Sequence, residues 1–315
     1  MGMTLQILVP QYKETDDVIK PLLDSISLQQ NVDFSRIGVI IVNDGTDVHL
    51  SEGLLQGYPF EIQYVLNKHG GVSATRNKAL DLSTADYVMF CDADDMFVNL
   101  TGLWLIMREI DRGGFYAFIS NFMEEGRDNE GKPSYVNHEQ DHTFVHGKVY
   151  KRRFLLDASI RWKDSLTLHE DGYFNGLALR MAPEVKYCKT PFYLWKYRAD
   201  SVARADPLFV SKTYPQIVQS SAALVEELIK RGHIADATEY VAGMVFETYF
   251  IFNDPKQDAV NEENIHRFRV FWYRFKYYFD KHPNKEEALA NMKGRDYEVP
   301  VSFEDWLANI TRKEK

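Results

Sequence analysis

The sequence predicts an α/β fold: a doubly wound sheet of mainly parallel strands, followed by a helical C-terminal region. Three observations lead to it. Short, nearly continuous apolar runs at residues 5–10, 37–43, 62–66 and 87–91 have the character of strands buried on both faces. Segments of helical periodicity alternate with those strands, as a doubly wound sheet requires. Beyond Asp206-Pro207 the chain loses its strand runs and becomes helical in character.

The elements follow in order. Between the first two strands Val18, Ile19, Leu22, Leu23 and Ile26 recur at helical spacing, with Thr15 placed to cap the start. Residues 73–82 supply a further helix before the fourth strand. After Asp95 the spacing predicts a helix over 103–110, a strand over 116–122 and a polar turn through Asp128-Asn129-Glu130-Gly131-Lys132-Pro133. A helix over 171–180 and a strand over 192–198 close the first part, giving mixed topology. Long periodic helices are then expected over 218–230, ended by Gly232, and over 235–252. Ile265, Phe268, Trp272, Phe275 and Phe279 form an aromatic helical seam flanked by Arg267, Arg269, Arg274, Lys276 and Lys281. Such a seam packs on neighbouring helices, joins two copies of the chain, or lies on a membrane surface.

At 315 residues the chain exceeds a comfortable single core, so two domains are expected, 1–205 and 206–315. Hydrophobic residues at 45% and charged residues at 26% are enough to build a sizeable core and argue against long disorder. No apolar run approaches the roughly 20 residues that cross a bilayer, and the opening apolar run is too short for a signal peptide, so a cytoplasmic protein is expected. Cys91 and Cys188 are the only cysteines and offer neither a disulfide framework nor metal-ligand spacing. A net charge of −9 repels a phosphate backbone, which makes nucleic acid a poor partner.

Chemistry concentrates where strands end. Phe90-Cys91-Asp92-Ala93-Asp94-Asp95 places three carboxylates directly after a buried run. On extended backbone Asp92 and Asp94 point the same way, so they can share a hard cation such as Mn²⁺ or Mg²⁺, and such a cation holds a diphosphate. The same residues alone also fit a solvated acidic turn. Asn43-Asp44-Gly45-Thr46 ends the second strand at the same edge, where Asp44 can accept from a nucleobase or ribose, or simply close an Asx turn.

In order, Pro10-Gln11-Tyr12-Lys13-Glu14, Asn43-Asp44-Gly45-Thr46, Gly71-Val72-Ser73-Ala74-Thr75-Arg76-Asn77, Asp92-Ala93-Asp94-Asp95 and His169-Glu170-Asp171 resemble the motifs of the family-2 inverting glycosyltransferases of the GT-A fold. The resemblance covers about the first two hundred residues. Lys13, Asn43 and Thr75 depart from the family pattern. The resemblance implies a GT-A catalytic domain with a Rossmann-like nucleotide half, a nucleotide-sugar donor and a hydroxyl-bearing acceptor. Many members use UDP-sugars, and the acceptor is a glycan, a lipid-linked sugar, a protein or a modified base. It implies that Pro10, Tyr12 and Glu14 line the nucleotide pocket with Asp44 on the base. Arg76 would lie near the phosphates, Asp92 and Ala93 by the ribose or a metal-bound water, and Asp94 on the metal.

The same resemblance makes Asp171 the base that takes the acceptor proton, with Glu170 beside it; without it the pair equally serves a helix N-terminus. Phe144-Val145-His146-Gly147-Lys148-Val149-Tyr150 and Tyr197-Arg198-Ala199-Asp200-Ser201 resemble later family segments, so His146, Lys148, Arg198 and Arg204 are candidate donor or diphosphate contacts. His146 and His169 are also candidate metal ligands. The expected activity is metal-dependent transfer of a sugar onto a hydroxyl. A sugar nucleotidyltransferase, or a binding protein that kept the fold but not the chemistry, are the alternatives. The helical C-terminal domain is expected to shape the acceptor site or to join subunits.

Overall fold

The structure is a computed structural model describing residues 2–199, 201, 206–292, 297 and 299–312. It divides into two compact units, Met1–Tyr197 and Arg198–Lys315.

In the first unit β1 (Leu5–Gln11), β2 (Ile37–Asn43) and β3 (Glu61–Leu66) lie parallel. The helices α1 (Asp16–Ser27), the short α2 (Glu52–Leu55) and α3 (Val72–Leu82) connect these strands to one another and to β4 (Tyr87–Phe90), which pairs in parallel with β1. Strands β1, β2 and β4 are buried almost throughout, as their apolar runs predict. β3 is not: exposed and half-buried residues alternate along it, because it forms the edge of the sheet and only one of its faces is covered. In α1, Ile19, Leu22, Leu23 and Ile26 are buried as expected, but Thr15 makes no side-chain bond to the helix it precedes. Asp16 and Asp17 supply the negative charge that suits the first turn.

The remainder of this unit turns the sheet mixed. β5 (Met96–Phe97), α4 (Gly102–Asp111), β6 (Ala117–Arg127), β7 (Pro133–His138), β8 (Lys148–Lys151), α5 (Arg152–Asp157), α6 (Glu170–Met181) and β9 (Val185–Trp195) follow in order. Across the sheet the strands run β3-β2-β1-β4-β8-β6-β9-β5, with β7 on β6. β8 is antiparallel to both β4 and β6, and β6 is parallel to β9. This reversal positions the site. The chain leaving β4 and the chain approaching β8 meet at one rim, so Asp92 and His146 become neighbours although the hairpin β6–β7 lies between them in sequence.

The second unit is helical over its described residues: α7 (Phe209–Lys212), α8 (Tyr214–Lys230), α9 (Ile234–Asn253), α10 (Glu262–Lys281), α11 (Lys285–Asn291) and α12 (Phe303–Ile310). α8 begins four residues earlier than its apolar periodicity suggests, because Pro215 sits in the first turn, where a missing N–H costs nothing. It ends at Gly232, whose φ of 81° suits the left-handed cap. The aromatic residues of the α10 seam are buried and Ile265 is half-buried. Phe279 lies 5.7 Å from Phe246 of α9, and Phe268 5.4 Å from Trp306 of α12, ring centre to ring centre. Among the described residues no helix is long and apolar enough to cross a membrane.

Candidate active site

The acidic turn leaves β4 directly into a web of hydrogen bonds. The Tyr193 hydroxyl on β9 accepts from the Asp92 N–H at 3.2 Å and donates to Asp95 Oδ2 at 2.6 Å, while the Lys196 N–H donates to Asp95 Oδ1 at 3.0 Å. Asp95 and Ala93 are buried; Asp92 and Asp94 are half-buried. Burial, reinforced by the charges of Asp92 and Asp94, pushes the Asp95 carboxyl well above the usual carboxylate range.

Arg76, on α3, is the hub of the site. Its guanidinium is 3% exposed, donates through Nη2 to Asp92 Oδ1 at 2.8 Å, and through Nη1 to both Glu170 Oε1 and Asp171 Oδ1 at 2.9 Å. One face lies 4.4 Å from the Trp162 ring. A planar fork with several donors is the side chain that can bridge three carboxyl groups at once. Burial works against its charge, yet Asp171, Asp92 and Glu170 together raise its pKa. The structure thus pairs Arg76, expected near the phosphates, with three carboxyl groups, because a cation this deeply buried needs counter-charges within reach. The same contact holds Asp92 low: burial acts to raise its carboxyl, but the Arg76 guanidinium outweighs it.

Glu170 and Asp171 open α6, after His169 in left-handed conformation at φ 59°. Asp171 Oδ2 accepts the Val145 N–H at 3.2 Å. Burial, opposed by Arg76 and reinforced by Glu170 and Asp92, pushes the Asp171 carboxyl up to about 8. Burial takes His169 down to about 4, which leaves it neutral near pH 7.

Next to Val145, His146 is 2% exposed and stacks on Tyr193 and Phe144 at 4.9 and 5.5 Å. Its Nδ1 is buried with no hydrogen-bond partner and lies 3.7 Å from Asp95 Oδ2. Burial holds the imidazole down to about 3, so it is neutral and carries a free lone pair. Ligand atoms of Asp92, Asp95 and His146 all fall within 4.8 Å of one another. Two carboxylates and a neutral imidazole, one of whose nitrogens has no partner in the protein, fit a divalent cation of the Mn²⁺ or Mg²⁺ type. Asp94 shares the turn but lies outside this cluster. Asp95 is the inward-facing residue of the turn, and nothing in a run of three aspartates distinguishes it.

At the other end of the rim, Asp44 at the end of β2 is nearly buried. Its carboxylate accepts from Gly70 N–H at 2.8 Å, Gly71 N–H at 3.0 Å and His69 Nδ1 at 2.9 Å. His69, invisible as a site residue in the sequence, stacks on the exposed Tyr12 ring at 5.3 Å, and the Lys13 ammonium lies 5.0 Å from the centre of that same Tyr12 ring. Glu14 Oε2 accepts the Tyr12 N–H at 2.7 Å, which curls the half-buried Pro10–Glu14 segment back on itself. Asn43, where the family pattern is acidic, donates to Val48 O and Tyr64 Oη and accepts the Thr46 N–H, so it braces the turn.

Lys148 is buried against partners within the protein. Its side chain is 1% exposed and its ammonium contacts Asp141 Oδ1 at 3.0 Å and Phe144 O at 2.5 Å. Arg198 opens the second unit, and Arg204 lies outside the described residues.

Comparison with known proteins bears on the fold and the family. The chain is 26% identical over 225 residues to the Streptococcus pneumoniae glycosyltransferase GlyA, covering 64% of this chain and 31% of that one. It is 24% identical over 220 residues to the uncharacterized glycosyltransferase EpsJ of Bacillus subtilis, covering 63% of this chain and 62% of that one. It therefore spans less than two thirds of the length of these relatives. The S. aureus TarS 1-349 structure in complex with UDP superposes with a TM-score of 0.62 at 17% identity, covering 91% of this chain and 83% of that one. The same protein in complex with UDP-GlcNAc gives 0.53 at 17%, covering 92% of each chain. The family described as Glycosyl transferase family 2 matches residues 6–167, just over half of the chain. With its mixed sheet, its acidic rim and this match, the chain belongs to glycosyl transferase family 2.

Proposed function

We propose that this protein transfers a sugar from a nucleoside diphosphate donor to an acceptor hydroxyl in a single inverting displacement, with Asp171 as the base. The observation that carries the reading is the Arg76 hub, which draws Asp92 at the end of β4 together with Glu170 and Asp171 at the start of α6. A donor-holding group and a proton acceptor thereby share one rim. A carboxyl group raised to about 8 is a stronger proton acceptor near neutral pH than one at its ordinary value. One carboxylate is enough, since a single displacement needs no nucleophile from the protein.

Pro10, Tyr12, Glu14 and Asp44 form the nucleotide end of this rim, with Tyr12 offering an exposed ring to stack a base. Asp92, Asp95 and His146 would hold the cation, with Asp94 beside them. When bound, Mn²⁺ or Mg²⁺ neutralises charge on the departing nucleoside diphosphate. A UDP-sugar is the proposed donor; the fold neighbour TarS was solved with UDP and with UDP-GlcNAc. The helical unit is assigned to the acceptor or to self-association.

Donor hydrolysis and thermal stabilisation across a panel of UDP-, GDP-, dTDP- and CDP-sugars, with Mn²⁺, Mg²⁺ or chelator, test this. A UDP-sugar should both raise the melting temperature and be hydrolysed only with metal. Stabilisation by no nucleotide sugar, or turnover indifferent to chelator, would overturn it.

A further inference from the structure

The segment Gly147-Lys148-Val149-Tyr150 has no place in the chemistry above, yet it is built at unusual cost. An ammonium buried to 1% exposure is expensive unless every donor is matched, and an apolar side chain of similar length would fill the same volume more cheaply. Its partners show what it holds. Asp141 Oδ1 accepts from Lys148 Nζ and also from the Thr143 and Phe144 N–H groups at 2.9 and 2.8 Å, while Lys148 donates to Phe144 O. The buried Tyr150 hydroxyl donates to Asn175 Oδ1 on α6 at 2.6 Å, and Asn175 Nδ2 donates to Thr143 O at 2.6 Å. Gly147 turns at φ 66°, where a Cβ would sit 2.4 Å from Ser120 Oγ. Lysine, tyrosine and glycine thus converge on one stretch, 143–147.

That stretch carries two functional groups on adjacent residues. Val145 gives its N–H to Asp171. His146 turns its unpartnered Nδ1 toward Asp95. We infer that the buried Lys148–Asp141 pair is a positioning device that holds the base and the imidazole of the cation cluster in register, so that metal affinity and base function depend on the same brace. Lys148 is not one of the three residues of the cation cluster; it acts through the backbone of Phe144 and the residues after it. The inference rests on the function proposed above.

Lys148→Met, which keeps length and removes the ammonium, tests it. Mn²⁺ binding, read directly from the electron-spin resonance of the free ion, should weaken by about tenfold or more, the range seen when a partner behind a metal ligand is lost. Turnover should fall with it, while UDP binding without metal stays within about twofold, since the nucleotide end lies away from the loop. In the Lys148→Met background Asp141→Asn removes the stranded carboxylate, retains an oxygen for both N–H groups, and should restore part of the Mn²⁺ affinity. In a His146→Ala background Lys148→Met should cost no further Mn²⁺ affinity.

A lower melting temperature with unchanged Mn²⁺ affinity and turnover would reduce the pair to a fold-stabilising contact and overturn the inference. So would an additive loss in the His146→Ala background. If Lys148→Met does not fold, Asp141→Leu decides the same question: unchanged Mn²⁺ affinity overturns the inference, and weakened affinity supports it. Native protein that binds Mn²⁺ but keeps its affinity in these variants sinks the inference alone, whereas native protein that binds neither metal nor nucleotide sinks the proposed function as well.

Discussion

Asp171 and Arg76 make opposite demands on each other. The guanidinium favours the ionised carboxylate, while burial and two neighbouring carboxylates disfavour it and prevail. Asp171 accepts a proton only when ionised, so kcat/KM should rise about tenfold per pH unit below about 8 and level off above it. Asp171→Asn should lower turnover by about two to four orders of magnitude while sparing donor affinity. Stability runs the opposite way with pH. A folded-state pKa above the unfolded value means that the native state keeps a proton the unfolded chain has released, so this residue's contribution declines as pH rises through that window. The melting temperature of Asp171→Asn relative to native protein should therefore increase from about pH 5 to about pH 9. Arg76→Met is the harsher change. It strands three carboxyl groups, and urea denaturation should show a loss of about 3–5 kcal/mol, the range for breaking a buried ion pair from one side.

At the scale of elements, the loop between β3 and α3 is closed over the end of β2 by hydrogen bonds to Asp44, and Gly45 makes that closure feasible. Its φ is 72°, and a Cβ there would stand 2.3 Å from the His69 backbone nitrogen. Gly45→Ala should push the loop off Asp44, cost about 1–3 kcal/mol of stability, and weaken UDP binding in a calorimetric titration. The alternation of β1, α1 and β2 was legible because a strand covered on both faces has to be apolar along its whole length. β3 was read as equally buried since its apolar residues resemble those of a central strand, and position at an edge is a tertiary fact. β7 and β8 left no trace: one is polar and exposed, the other only four residues long. Asp92, Asp171 and Arg76 were legible as motif residues, but their joining through one guanidinium was not, because it spans α3, β4 and α6. The inward turn of Asp95 and the pairing of His69 with Asp44 depend on packing that local pattern does not encode.

For the whole molecule, the reversal at β8 is what lets a doubly wound half and a mixed half share one site. Had β8 run parallel to β4, the chain before it would arrive at the opposite rim, and His146 would lie a strand's length from Asp92. The four paired strands β4, β8, β6 and β9 set the frame of this rim through their backbone hydrogen bonds. The hairpin tip between β6 and β7 contributes nothing to them. There Asp128 accepts the Glu130 and Lys132 N–H groups in an exposed turn, with Gly131 at φ 77°. Chain length at this tip is consequently uncoupled from the spacing of the site. A short epitope or a small folded reporter inserted after Gly131 should leave UDP affinity and metal response unchanged, measured side by side with the uninterrupted protein. The protein would then carry a handle for immobilisation or imaging at a point where lengthening the chain does not disturb its chemistry.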